Sequence, residues 1–501
     1  MDVLIPFGLG AWIFIGLYLC SLIGIGIVGK RARREDSLSD FYLAGPGFGF
    51  AILFLTLFAT QYSGNTLIGF TGQTYRGGYK FLVSVTFMMG VIAAYLCYAP
   101  KLFRLSRARE YITPGDFLQD RYGCRALTNL ATLLFIVALA NYVLTNLKAI
   151  GAIVESATGG KVSAAAGIIG LSLIMVVYET LGGMRSVAWT DLIQGLLLLL
   201  GCALIFAVIQ MHYGGLSGAA EQLRQNEQFW KSPSGEAKVT WMSRLILIAL
   251  GISIYPHAVQ RIFAARSENT LKRSLQIMVF MPIFTTFFMV VVGLVGAAKF
   301  PGLDKAGSEK ITLIILSDLA QSFPAIKFLL ILFLSAAVAA IMSTVDSALL
   351  SISSMVAQDL YRPMKPETPQ SRLTFAGKII SWAVMAGMAV LALVVGDTIW
   401  VLIKIKLELL CQLVPAIFLG VHLKSLKAKP VLAGLITGTA ITVGYLVLEK
   451  FGPNTVFGMK VTSTPLGIHA GVWGMALNLI VVAAMSALSK SGTDDQTSPT
   501  H

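Results

Sequence analysis

The sequence predicts an all-α polytopic membrane protein built around two related groups of helices. Three observations predict this class: apolar runs recur along the whole chain, basic residues cluster in alternate loops, and two apolar runs are interrupted at matching positions. Of the 501 residues, 56% are hydrophobic and 13% are charged, whereas a soluble domain carries about 25% charged residues. A run of about 20 apolar residues can cross the hydrocarbon of a bilayer.

Thirteen apolar runs are long enough to be membrane spans, and no loop between them is long or apolar enough to form its own core. The predicted spans are residues 4–29, 47–75, 79–99, 126–154, 162–179, 187–211, 242–264, 274–298, 325–357, 374–395, 399–421, 430–449 and 466–488.

The basic residues predict the orientation of the chain. Loops rich in Lys and Arg stay in the cytoplasm, so we expect the N-terminus outside and the C-terminus inside a cell inner membrane. The net charge of +14 then reflects topology and anionic lipid headgroups rather than binding to nucleic acid. The basic loops are residues 30–34, 101–125, 261–273, 362–378 and 424–429.

The second and seventh spans are predicted to be broken helices. Span 2 carries the polar run TQYSGNT (60–66), and span 7 carries Gly251, Ser253 and Pro256 in mid-membrane. A proline kink is the simpler alternative for either span alone. Each span, however, is the first of a group of five, and interrupted helices at matching positions are typical of transporters with inverted repeats.

This pattern divides the chain into six segments. They are 1–46 (a peripheral helix and a cytoplasmic loop), 47–211 (the first repeat), 212–241 (an extracellular loop), 242–421 (the second repeat), 422–489 (two peripheral helices) and 490–501 (a cytoplasmic tail).

The ninth span places oxygen-bearing side chains deep in an apolar helix. Ser343, Thr344 and Ser347 supply hydroxyls, and Asp346 supplies a carboxylate. A sodium ion needs oxygen ligands, and carbonyls freed at the broken second span could complete such a shell. The alternative is a closely packed helix whose hydroxyls bond to the preceding turn.

Five segments resemble conserved blocks of the sodium/solute symporter family, which includes bacterial proline, pantothenate, sialic acid and monocarboxylate carriers and animal sodium/glucose cotransporters. The resemblance covers roughly residues 38–430. It implies the leucine-transporter-type fold, with two inverted five-helix repeats, and alternating access driven by a sodium gradient. The segments are LSDFYLAG (38–45), ATQYSGNTLIG (59–69), ETLGGMRSVAWTDLIQ (179–194), PHAVQRIFAARS (256–267) and AAIMSTVDSALLSISSMVAQDLY (339–361).

The resemblance also implies a sodium site. Two ligands would be the backbone carbonyls of Ala59 and Tyr62 in the first broken helix. The others would be the carbonyl of Ala340 and the hydroxyls of Ser343 and Thr344.

A second cation site, found in some family members, matches Asp191, Asp346 and Ser347. Asp346 stands where a serine is expected, so its carboxylate could strengthen cation binding or make the site sensitive to protons. For Asp191 the sequence leaves two roles open. One is a partly hydrated position on the sodium exit path, and the other is an interfacial salt bridge with Arg185.

The family's substrate contacts come from the broken helices and from the third and last core helices. Gln61 replaces an acidic residue of the proline carriers, and Ile248 and Ile252 replace their aromatic pair, which argues against proline as the solute. The matching substrate-binding positions are Gln61, Asn65, Asn141, Tyr142, Ser253, Tyr255 and Gln412.

The eleventh span carries unexpected charges at Lys404, Lys406 and Glu408. Lys404 and Glu408 are four residues apart and could pair on one helix face. We add Lys406 to the expected substrate-binding residues, because its ammonium would favour a carboxylate if it faces the cavity. The alternative is that Lys406 snorkels outward near Trp400.

We therefore expect sodium-coupled symport of a small organic solute, with an anionic monocarboxylate as the best candidate. The alternative is a proton-coupled or sodium-coupled amino-acid or sugar carrier of the same fold. The expected partners are the solute, the sodium ion and the lipid bilayer, and a monomer should suffice for transport. Clustered catalytic motifs are absent from the sequence, so we do not expect an enzyme.

Overall fold

A computed structural model of the chain describes residues 9–45, 47–62, 65–231, 233–322, 326–396, 399–451, 455–456, 459–460 and 464–494. These residues are almost entirely helical. Within them, two short strands, β1 (Thr455–Val456) and β2 (Met459–Lys460), form an antiparallel ribbon before the last helix.

The α-helices follow one another with short connections. They are α1 (Leu9–Arg31), α2 (Leu38–Leu43), α3 (Phe50–Gln61), α4 (Phe70–Gly77), α5 (Val83–Arg109), α6 (Pro114–Tyr122), α7 (Arg125–Ala157), α8 (Ala164–Gly182), α9 (Met184–Tyr213), α10 (Gly215–Leu223), α11 (Glu227–Trp230), α12 (Gly235–Ser253), α13 (Pro256–Ala264), α14 (Glu268–Met278), α15 (Met281–Phe284), α16 (Thr286–Lys299), α17 (Lys305–Glu309), α18 (Ile311–Ser322), α19 (Ile326–Met355), α20 (Arg362–Met364), α21 (Gln370–Val394), α22 (Ile399–Leu410), α23 (Val414–His422), α24 (Ala428–Phe451) and α25 (Ala470–Asp494).

Tighter or wider helical turns join some of these helices. The π-helical turns are Asn65–Gly69 and Val356–Tyr361, and the 3₁₀ turns are Gly78–Leu82, Cys411–Leu413 and Pro465–Gly467.

Helices lie at all thirteen predicted spans, but the number of true spans stays a prediction. Among the described residues, 11 helical stretches are long and apolar enough to cross a membrane, and α12 with α13 makes a twelfth. The predicted span 47–75 is split, since α3 ends at Gln61 after 12 residues and α4 begins at Phe70. The orientation of the termini likewise stays a prediction.

The second span breaks where the sequence predicts. Helix α3 ends at Gln61, and Tyr62 leaves the helical conformation with φ −109° and ψ 109°. The helical path resumes as the π-helical turn at Asn65. The last carbonyls of a helix have no partner within it, so this end directs backbone oxygens at other groups.

The seventh span is also broken as predicted. Helix α12 ends at Ser253, Pro256 is the first residue of α13, and the two axes differ by 48°. Two tyrosine hydroxyls from α5 bond to carbonyls at the break: Tyr95 donates to Ile252 (3.2 Å) and Tyr98 to Ser253 (2.5 Å). Broken backbone at membrane depth needs such partners, and here neighbouring side chains supply them.

Helix α19 lies in the middle of the bundle. It packs against α3, α7, α9 and α13, and it belongs to the most deeply buried span among the described residues. The side chains of Ser343, Thr344, Asp346 and Ser347 are all fully buried or nearly so. The polar part of α19 therefore lies beside both broken helices, which places the candidate site in the core.

Candidate functional site

The residues of the predicted sodium site belong to α19 and to the end of α3, two elements that pack against each other. Ala59 belongs to the last turn of α3, and Tyr62 follows its end. The Thr344 hydroxyl donates to the carbonyl of Ala340 at 2.9 Å, as in a helix whose hydroxyls bond to the preceding turn. A hydroxyl that donates its proton keeps lone pairs, so this bond leaves Thr344 able to bind a cation.

The other sodium-site hydroxyl belongs to a buried polar network. Ser343 donates to the carboxylate of Asp191 at 2.5 Å. Arg261 donates to Asp191 at 2.7 Å, to Thr56 at 2.8 Å and to Ser347 at 2.5 Å. Thr56 also donates to Asp191. Each of the five side chains is at least 99% buried, so the charges of Asp191 and Arg261 compensate each other within the protein.

This geometry corrects the expectation that Asp191 is partly hydrated or paired with Arg185. Asp191 lies seven residues after Met184, the first residue of α9, which is about two helical turns into the helix. Its side chain is fully buried. Arg185 lies in the first turn and binds both carboxylate oxygens of Asp40 at 2.5 and 2.6 Å. Burial raises the pKa of Asp40. The hydrogen bonds and the positive charge of Arg185 lower this pKa, and the net shift is downward.

Of the three residues proposed for a second cation, two share a positively charged partner and the third bonds elsewhere. Asp191 and Ser347 share the guanidinium of Arg261, which already supplies positive charge between them. Asp346 instead accepts a hydrogen bond from Tyr178 on α8. Its other carboxylate oxygen has no hydrogen-bond partner among the described residues.

A second buried site surrounds Lys406 on α22. Its ammonium nitrogen lies 3.1 Å from the ring centre of Tyr142 on α7 and 5.4 Å from that of Tyr255 at the second break. The His257 ring lies 5.0 Å from the Tyr255 ring and 5.8 Å from the Tyr142 ring. We call these four residues the aromatic cage. Lys406 is 2% exposed, so its side chain points into the bundle and does not snorkel outward.

The predicted pairing of Lys404 with Glu408 is wrong. Lys404 lies 3.9 Å from Glu449 on α24. Glu408 accepts from the backbone N–H of Gly471 and lies 3.0 Å from the His469 ring. The N-terminus of α25 offers a free N–H and a positive dipole end, which attract the carboxylate more strongly than a neighbour on the same helix.

The remaining predicted substrate residues are dispersed. Gln61 is buried, and its amide nitrogen has no hydrogen-bond partner among the described residues. Asn141 is half-buried, and its backbone carbonyl accepts from the Thr145 hydroxyl at 2.7 Å. The Ser253 hydroxyl donates to the carbonyl of Leu250.

Among the described contacts, none joins Gln412 or Asn65 to the aromatic cage. The Gln412 amide donates to the carbonyl of Gly471 at 2.9 Å, so this side chain holds α25. The side chain of Asn65 lies outside the described part of the structure.

Sequence reasoning missed Arg261, Thr56 and Tyr178, and it did not place His257 among the candidate site residues. Arg261 was counted among the cytoplasmic basic residues, although it follows the break by only five positions. An intramembrane charge requires a partner, and Asp191 offered one. The need of Arg261 for an opposite charge within the membrane could therefore have predicted its pairing with Asp191 from the sequence.

The comparison with family models decides the family. The model of the sodium:solute symporter family matches residues 41–438. The chain belongs to the sodium:solute symporter family. Its sodium coupling follows from this membership, as does its class as a transporter of solutes across a membrane.

Curated relatives of the symporter align over most of their length. The sodium/pantothenate symporter of Escherichia coli (strain K12) is 26% identical, over 88% of this chain and 93% of the relative. The high-affinity proline transporter PutP of Bacillus subtilis (strain 168) is 27% identical, over 82% of this chain and 87% of the relative.

A solved structure confirms the fold. A sodium-coupled sialic acid symporter, in a substrate-bound outward-open state, superposes with a TM-score of 0.78 at 20% identity and covers 96% of this chain and 98% of its own. The symporter therefore has the predicted leucine-transporter-type fold.

Proposed function

We propose that the chain is a sodium-coupled symporter of a small monocarboxylate, working by alternating access in the cell inner membrane. The sodium coupling follows from its membership of the sodium:solute symporter family. The observation that supports a carboxylate is the position of Lys406 inside the aromatic cage.

The charge of Lys406 favours an anionic solute. Among the described residues, no carboxylate lies within salt-bridge distance of its ammonium, and the side chain is 2% exposed. Cation–π contacts with Tyr142 and Tyr255 compensate only part of the loss of water. A solute carboxylate would complete the compensation, because a buried charge needs an opposite charge or a set of hydrogen bonds.

The same charge weighs against the alternative solutes. An amino acid would bring its own ammonium towards Lys406, and a sugar would leave the buried charge without a counter-ion. The cage is built from α7, the second break and α22, which are elements that the family resemblance assigns to substrate binding.

We propose that the coupling sodium binds the carbonyls of Ala59, Tyr62 and Ala340 and the hydroxyls of Ser343 and Thr344. The packing of α19 against the end of α3 supports this assignment. We further propose an outside N-terminus, the six-segment division predicted from the sequence, and a monomer as the unit of transport.

Replacing Lys406 tests the solute class. Sodium-driven uptake of labelled lactate into proteoliposomes should fall about 30-fold or more in Lys406→Ala, because losing the partner of a buried ion pair costs about 2 kcal/mol or more. The matched control is Lys404→Ala, two residues away on α22, 21% exposed and facing Glu449. It should retain uptake within about twofold.

The proposal is contradicted if Lys406→Ala transports lactate as well as the unmodified protein does. It is equally contradicted if a screen of monocarboxylates, proline, pantothenate, sialic acid and sugars shows sodium-driven uptake of an uncharged or zwitterionic solute alone. Folding of both variants is checked by their thermal unfolding in detergent.

A further inference from the structure

His257 carries two ring nitrogens with no hydrogen-bond partner among the described residues, although its side chain is completely buried. Buried polar groups in folded proteins are nearly always paired, and each exception calls for an explanation. His257 follows Pro256 at the start of α13. Packing alone does not explain an imidazole here, since an apolar ring of similar size would fill the position without any unpaired nitrogen.

The neighbours of His257 indicate what the missing partner is. The imidazole ring packs against Tyr255 and Tyr142, the same two rings that contact the Lys406 ammonium. The imidazole and the ammonium therefore lie against the same two tyrosine rings. This is the arrangement that one small molecule would need in order to contact both groups.

We propose that His257 binds a hydroxyl group next to the carboxylate held by Lys406, so that the preferred solute is a 2-hydroxy monocarboxylate. This inference rests on the proposed monocarboxylate function and deepens it.

The chemistry of the ring favours a hydroxyl. A neutral imidazole has one donor nitrogen and one acceptor nitrogen. A carboxylate offers acceptors only and cannot satisfy the acceptor nitrogen, whereas a hydroxyl can donate to it. A site built to hydrogen-bond a hydroxyl discriminates against an analogue that lacks it, because the polar groups of the site are then left unpaired.

The test compares two acids that differ by this hydroxyl. Binding of D,L-lactate and of propionate to the purified full-length protein is measured by calorimetry in saturating sodium. Lactate should bind about tenfold more tightly than propionate to the unmodified protein, as expected for one additional hydrogen bond at a buried site. In His257→Phe the lactate-to-propionate affinity ratio should fall to about one.

Two further variants separate hydrogen bonding from packing. His257→Asn keeps one donor and one acceptor and should restore part of the ratio. His212→Phe removes an exposed imidazole in the last turn of α9 and should leave the ratio at about ten. Thermal unfolding in sodium without any acid shows whether each variant folds.

The outcomes distinguish this inference from the function on which it rests. Binding of neither acid would overturn the monocarboxylate proposal and this inference with it. Binding of both acids with equal affinity to the unmodified protein, or a ratio that persists in His257→Phe, would overturn the hydroxyl assignment alone. Equal losses for both acids in His257→Phe would show that His257 binds the carboxylate itself, which also overturns the assignment.

Discussion

Arg261 is the largest side chain that the described residues bury completely. Its guanidinium joins α13 to α3, α9 and α19 through Thr56, Asp191 and Ser347. The network thus links the second broken helix to the helices that carry the proposed sodium ligands. Removing one member of a buried ion pair leaves the other charge uncompensated, which is more costly than losing both.

Replacing Arg261 should therefore destabilise the protein strongly. We expect Arg261→Met to lower the free energy of unfolding by about 3–5 kcal/mol, and Asp191→Asn in the same background to recover part of the loss. The measurement is a double-mutant cycle of unfolding in mixed micelles. The exposed Arg266, five positions along the chain, is the matched control, since Arg266→Met should change stability by about 0.5 kcal/mol or less. Additive effects of the two network substitutions would contradict the pairing.

At this scale the sequence predicted residue types better than pairings. It placed Tyr142, Tyr255 and Lys406 among the substrate residues, and the structure brings these three together. It did not predict the partner of Asp191, because Arg261 is 70 positions away and only the packing of α13 against α3 and α19 joins them. The Lys404–Glu408 prediction failed for the same reason, since a local pair was preferred to a helix terminus distant in sequence.

At the scale of helices, a polar junction ties α6 to the end of α19. Asp359 lies in the π-helical turn that follows α19 and accepts from Thr113 (2.5 Å) and Thr132 (3.1 Å). Thr113 also caps α6 in a reciprocal arrangement with Asp116. The block ending in DLY (339–361) thus anchors the central helix to the basic loop 101–125.

Gly115 makes this junction possible, because a Cβ there would overlap the carboxylate of Asp359. We expect Gly115→Ala to lower the free energy of unfolding by about 1–3 kcal/mol through overpacking. The control is Gly170→Ala on α8, where no atom of the described residues lies within 4 Å of an added Cβ. It should be neutral or stabilising by up to about 1 kcal/mol, since alanine favours the helix. Equal thermal shifts for the two variants would argue against the junction.

The elements were largely predictable. Hydropathy located every long helix, and glycine, proline and polar residues located both breaks. The partners that hold the second break open could not be predicted, because Tyr95 and Tyr98 read as ordinary aromatic residues of an apolar span. Their hydroxyls matter only where α5 passes the carbonyls of Ile252 and Ser253.

At the scale of the whole molecule, two broken helices lie against one buried polar helix, and two charged centres share that core. The first centre contains the proposed sodium ligands and the Asp191–Arg261 pair. The second is the aromatic cage, which the short α13 connects to the first, since His257 and Arg261 lie one turn apart and the Arg261 guanidinium donates to the His257 carbonyl at 2.9 Å. The contacts of α13 therefore join the two centres directly.

The most direct test of this account is sodium-driven uptake of labelled lactate into proteoliposomes, with the proton gradient collapsed by a protonophore. We predict uptake that requires inward sodium, survives the protonophore and is lost in Ser343→Ala/Thr344→Ala, because two of the five proposed ligands are then missing. Uptake that continues without sodium, that stops when the proton gradient collapses, or that keeps its sodium dependence in the double variant would contradict the account.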